Sequence, residues 1–146
     1  MNIEQQTKAA VEIVETELTV AYVKYGGNAG DGQYFFAFSH QRIHVRNRRS
    51  LPPGCEGVVM RFRLGAHVAE NFVITGLVST NSLGNLSPES IYRSVDTLCR
   101  NIEVLNQAIQ PGIFNVGILV TDLNTGTVVF CDPQVVNSPG EGDNAW

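Results

Sequence analysis

The feature that most constrains this chain is an apolar stripe between Ile91 and Ile109. Ile91, Val95, Leu98, Ile102, Leu105 and Ile109 follow a 4-3-4-3-4 spacing, the repeat that lines side chains along one face of an α-helix. Ser87 offers a capping hydroxyl, Pro88 suits the first helical position, and Pro111-Gly112 ends the run. Glu89 with Arg93, and Asp96 with Arg100, supply favourably oriented i,i+4 pairs away from the stripe. The spacing predicts a long amphipathic helix over 88–110, about 23 residues and roughly 34 Å in length. Its stripe must be buried, either on the chain's own sheet or as an interface with the same helix of a sister subunit.

Elsewhere the pattern favours strands. A short helix is expected only at the N-terminus, from Ile3 to about Val14, where Ile3, Ala10, Ile13 and Val14 fall near one face. From Thr19 to Tyr25 the β-branched and aromatic content rises, and Gly26–Gly32 follows as a loop. Further strands are expected at Gln33–Ser39, Arg42–Arg48, Gly57–Leu64 and Asn71–Thr80. A hairpin should follow the helix, with Phe114–Asp122 and Thr127–Asp132 joined by Leu123-Asn124-Thr125-Gly126. The fold class expected is α+β: an antiparallel β-sandwich or curved sheet of about seven strands, with the helix inserted before the C-terminal hairpin. Gly117–Asp122 followed by Asp132–Asn137 resembles the final hairpin and exit of some bacterial immunoglobulin-like sandwiches, which implies a sandwich without implying an activity.

A chain of 146 residues fits one domain, here expected over 1–136, with 137–146 a flexible tail of loop composition ending in Trp146. Three cysteines, Cys55, Cys99 and Cys131, form no C-x-x-C pair, and their odd number speaks against a disulfide framework. The N-terminus lacks the basic start and apolar run of a signal peptide, and no apolar stretch reaches the roughly 20 residues of a membrane span. The expected setting is cytoplasmic, away from the membrane.

Motifs for chemistry are sparse. His40 and His44 are four apart, but Arg42-Ile43-His44-Val45-Arg46 alternates as a strand, on which four residues span about 13 Å, too far for one metal. The loop at 26–32 has neither the Gly spacing nor the Lys-Ser/Thr ending of a phosphate cradle. Ser82-Leu83-Gly84 is not a nucleophile elbow, and Cys99 falls beside the apolar stripe. No catalytic residue, metal or cofactor is expected, and the balance is against an enzyme.

Charge is distributed unevenly. Six of the ten basic residues, Arg42, Arg46, Arg48, Arg49, Arg61 and Arg63, lie between positions 40 and 63 with Glu56 as the single acid, a local balance of +5. The rest of the chain stands at −9, giving the net −4. Alternation places Arg42, His44 and Arg46 on one face of their strand, and Arg61 and Arg63 on one face of theirs. If the two strands pair antiparallel with 42 opposite 63 and 44 opposite 61, the basic sets coincide, and such a face would need an anion or acidic partner to offset its repulsion. Two readings follow. One is a non-catalytic assembly or interaction module that forms a homo-oligomer or binds an acidic protein partner. The alternative is an arginine-rich sheet face that binds a phosphorylated ligand, nucleotide or nucleic acid.

Overall fold

A computed structural model of the chain describes residues 12–80, 85–86, 93–94, 98–108 and 110–138. They form ten strands: β1 Glu12–Tyr22, β2 Tyr34–Phe38, β3 Arg42–Val45, β4 Val58–Leu64, β5 Phe72–Thr80, β6 Arg93–Ser94, β7 Asn101–Asn106, β8 Gly112–Asp122, β9 Thr127–Cys131 and β10 Gln134–Asn137. Sheet A has the order β2-β1-β4-β7-β6, and sheet B the order β3-β10-β8-β5 with β9 beside β8. The sheets are mixed rather than antiparallel, because β1 runs parallel to β4 and β3 parallel to β10.

The inward positions of both sheets meet in one core. Leu18, Val20, Met60, Phe62, Ile102 and Val104 of sheet A join Ile43, Val45, Ile74, Val116, Ile118 and Val120 of sheet B. β4 reads buried, half-buried, buried along its seven residues, the period-2 signature of a strand with one face in the core.

The expected 88–110 helix does not form. Residues 93–94 and 101–106 are strands and Cys99 takes a left-handed φ of 56°, so no helix spans them. The six-residue stripe is dispersed: Ile102 is buried, Leu105 lies half-buried on the opposite face of β7, and Leu98 is exposed in a turn. Ile91, Val95 and Ile109 lie outside the described residues. The physical reason is the company kept by Ile102: with Val104 and Asn106 it alternates inward while Asn101, Glu103 and Leu105 face out. The short N-terminal helix fails likewise at its end, since Glu12–Val14 belong to β1; residues 3–11 lie outside the described residues. The only helical element among the described residues is a 3-10 turn, Arg48–Ser50, capped by Asn47. Two positions of the expected 137–146 tail belong to the sandwich, since Asn137 closes β10 and the Ser138 amide donates to the Val45 carbonyl at 2.8 Å; residues 139–146 lie outside the described residues.

Two local devices hold the sheets. β9 and β10 pair with β8 in a single continuous register, Cys131 opposite Ile118 and Gln134 opposite Asn115, interrupted only at Asp132-Pro133, where proline has no N–H for the ladder. The glycine loop folds back onto the free edge of β2. There the Asn28 side chain donates to the Phe36 carbonyl at 2.9 Å and accepts from the Phe36 amide at 2.8 Å. Gly27 approaches so closely that a Cβ would collide with the Tyr34 carbonyl.

A pair of buried asparagines bridges the two sheets through the core. Asn106 of β7 and Asn137 of β10 are both buried and exchange reciprocal amide hydrogen bonds of 2.8 and 3.2 Å, while Asn106 Oδ1 also accepts from the Ala108 amide. Replacing Asn106 with Ala is expected to cost about 1–3 kcal/mol, because the Asn137 amide is then left buried and short of a partner. Adding Asn137→Ala should cost less than the two single losses combined, a coupling that urea denaturation of the four proteins would measure.

Candidate functional site

The outer face of sheet A explains what becomes of the arginines. Strand register sets Glu15 opposite Arg61 and Glu17 opposite Arg63 across β1–β4, and Arg61 opposite Glu103 across β4–β7. Arg61 reaches Glu103 at 2.7 Å and Glu15 at 3.6 Å; Arg63 reaches Glu17 at 2.9 Å and Glu15 at 3.5 Å. Two guanidiniums are thus enclosed by three carboxylates. With Arg61 and Arg63 still 33% and 37% exposed, each pair is worth about 0.2–1 kcal/mol. A phosphate arriving here would have to displace carboxylates already in place.

Arg42, His44 and Arg46 are elsewhere. β3 lies at the edge of sheet B, beside β10, so the expected antiparallel pairing of 42 with 63 and 44 with 61 does not occur. Alternation along β3 is as the sequence implies, with Arg42 and His44 exposed and Ile43 and Val45 buried. Arg46 pairs with Glu12 at 3.4 Å and donates to the Ser50 carbonyl. Arg42 and His44 border a groove of about 320 Å³ that also touches Glu15 and His40. The five predicted site residues therefore divide between two sheets. The signal that separates them is present in the sequence: Glu15 and Glu17 have the same spacing of two as Arg61 and Arg63, on a strand that alternates with Val14, Leu18 and Val20.

The part of sheet B's outer face that β5, β8 and β9 present is of another kind. Val73, Val78, Leu119, Thr121, Val128 and Phe130 point outward from β5, β8 and β9, and none is charged. Val78, Val128 and Phe130 remain 44–53% exposed. The Phe130 ring lies across Gly117 of the neighbouring strand, where any Cβ would collide with it. Periodicity marked these strands, but not that their outward positions form one uncharged surface.

At one end the sheets part around an open cleft of about 480 Å³, bounded by β1, the β4–β5 connection and the β8–β9 turn. Buried Asp122 organises it. Tyr34 donates to its Oδ2 at 2.6 Å, and Asn71 and the Asn124 amide donate to its Oδ1 at 2.7 and 2.9 Å. Burial pushes the Asp122 pKa up, but hydrogen bonds from Tyr34, Asn71, Asn124 and Thr125 outweigh it, and the net direction is down. Arg100 fixes the neighbouring wall by donating to the carbonyls of Gly65, Val68, Ala69 and Phe72 at 2.7–3.1 Å.

Burial pushes the Cys131 thiol up to about 12, which leaves it an inert core side chain. Among the described residues no cluster of three or more His, Cys, Asp or Glu is placed to hold a metal, and no helix is long and apolar enough to cross a membrane. No known protein-family model matches the chain, and no curated protein matches it either.

Because the folded-state pKa of Asp122 lies below its ordinary 3.8, its contribution is complete above that value and is lost as pH falls through it towards the folded-state value. Asp122→Asn is expected to cost about 1–3 kcal/mol near neutral pH. The gap between variant and parent should narrow in acid, which urea unfolding across pH 3–7 would record; a constant gap would remove the carboxylate from this role.

Proposed function

We propose that the chain is a non-catalytic assembly module that associates with a second copy of itself through the outer face of sheet B. The observation that carries this reading is the split in polarity between the outer face of sheet A and the outward positions of β5, β8 and β9; the exposed Arg42 and His44 of sheet B stand on its edge strand β3, beyond β10. Sheet A presents the Glu15, Arg61 and Glu103 row, whereas Val73, Val78, Leu119, Val128 and Phe130 of sheet B sit on strands whose outward positions hold no charge. An uncharged apolar face is matched by another of its kind; set against sheet A it would strip water from five charged groups. A two-fold axis brings like against like, since each copy presents the same patch.

Size sets the strength. Three strands at ~4.8 Å spacing, followed along the eleven residues of β8 at ~3.4 Å each, give a face of roughly 500 Å². Two copies would bury about 1,000 Å², just below the ~1,200–2,000 Å² of stable specific interfaces, so the dimer should be weak and reversible.

Sedimentation velocity is expected to show a dimer fraction that grows through the micromolar range and changes little with added salt, because no ion pair crosses the contact. Phe130→Glu should keep the chain monomeric throughout while its far-UV circular dichroism stays that of the parent. A parent that remains monomeric, or a dimer that salt dissolves, would count against this face.

A further inference from the structure

The cleft at the end of the sandwich lies away from the proposed dimer face, and its lining is unlike a chance gap between loops. Tyr22 stands half-exposed at its margin, held edge-on to Tyr34 at 5.4 Å between ring centroids, and Tyr34 in turn meets Phe72 edge-on at 6.1 Å. Tyr34 is the residue whose hydroxyl holds Asp122. One connected set of contacts thus fixes both an aromatic platform and the polar rim facing it.

The rim has hydrogen-bonding capacity left over. His67 engages the Thr19 hydroxyl through Nε2 at 3.0 Å, leaving Nδ1. Asn71 spends one N–H on Asp122, leaving its other N–H and its carbonyl oxygen. The Asn124 side chain has no partner among the described residues, since only its backbone amide is engaged. These groups offer donors and acceptors together. The Asp122 charge is meanwhile taken up by the three hydrogen bonds it accepts, so the lining presents no unspent carboxylate.

We infer that this cleft is a binding site for an uncharged, hydroxyl-rich ring, with a single sugar unit as the ligand class. A pyranose has an apolar face to set on the Tyr22 ring and equatorial hydroxyls that both donate and accept, which suits the amides of Asn71 and Asn124 and the imidazole of His67. Among the described residues the lining holds no Lys or Arg to pair with a phosphorylated or carboxylated ligand, and Arg100, which fixes the cleft wall, has its guanidinium directed at backbone carbonyls. A cleft open on one side, with few polar contacts, sets the expected affinity in the millimolar range.

Ligand-observed NMR with a panel of neutral monosaccharides, their phosphorylated counterparts as comparison, tests the site. The expected result is saturation transfer from at least one neutral sugar and weaker transfer from its phosphate. Tyr22→Ala and Asn124→Ala, both at exposed positions that leave the Tyr34–Asp122 bond intact, should each weaken binding about tenfold or more. Phe130→Glu, on the other face, should bind as the parent does, so the fate of the dimer does not decide this question. No transfer from any neutral sugar, or transfer that survives Tyr22→Ala, would overturn the inference.

Discussion

Everything in this sandwich depends on two strands whose backbones are hydrogen-bonded on both sides. β4 lies between β1 and β7, and β8 between β5 and the β9–β10 pair. A strand bonded on both edges cannot slip by one residue without turning its whole apolar set outward. The cost of such a slip would be large, because Val58, Met60, Phe62 and Leu64 on one strand, and Phe114, Val116, Ile118 and Val120 on the other, are all at most 4% exposed. The register of β4 in turn decides which charges meet outside. With Val58 aligned to Glu12, Arg61 and Arg63 are carried to Glu15 and Glu17. The ion-pair rows are a consequence of core packing rather than its cause.

The sheet margins are managed one by one. β2 is covered by Asn28, β6 is two residues long, and β3 is short and carries exposed Arg42 and His44. β5 is closed at its start, where the Ile74 amide donates to the Cys99 carbonyl and Arg100 takes the Phe72 carbonyl. Each device discourages another chain from adding a strand. The apolar side chains of β5, β8 and β9 make a face, so the proposed association would stack sheets, with side chains instead of backbones making the contact.

Much of the sheet is legible in the sequence because alternation survives there. β2, β3, β4, β5, β8 and β9 fall within a few residues of the segments that periodicity marks, and the in-and-out assignment of β3 and β4 is correct. β7 is hidden for a specific reason. A spacing of four keeps one face on a helix and on a strand alike, so Leu98 and Ile102 fit either; only the inward run Ile102, Val104, Asn106 tells them apart, and a polar residue at its end conceals it. Asn106 is tolerated there because Asn137, some thirty residues on, satisfies it. The partner comes from the opposite sheet, so no local window contains the answer. The arginine cluster divides for the same kind of reason: adjacency in sequence suggests that β3 and β4 pair, whereas the chain crosses from sheet B to sheet A between them.

The cleft and the uncharged face share one anchor although they point in different directions. The β8–β9 turn begins at Asp122, whose carbonyl accepts from the Thr125 and Gly126 amides, so its backbone sets the start of β9 and with it the positions of Val128 and Phe130. The side chain of the same residue takes the Tyr34 hydroxyl from sheet A, and Tyr34 carries the Tyr22 ring. A buried carboxylate stays ionised only where enough donors surround it, and each donor here comes from a different segment: β2, the entry to β5, and the turn itself. Those donors converge only once the two sheets are closed on each other. The order of the cleft, and the outward presentation of β9, therefore follow from completion of the sandwich.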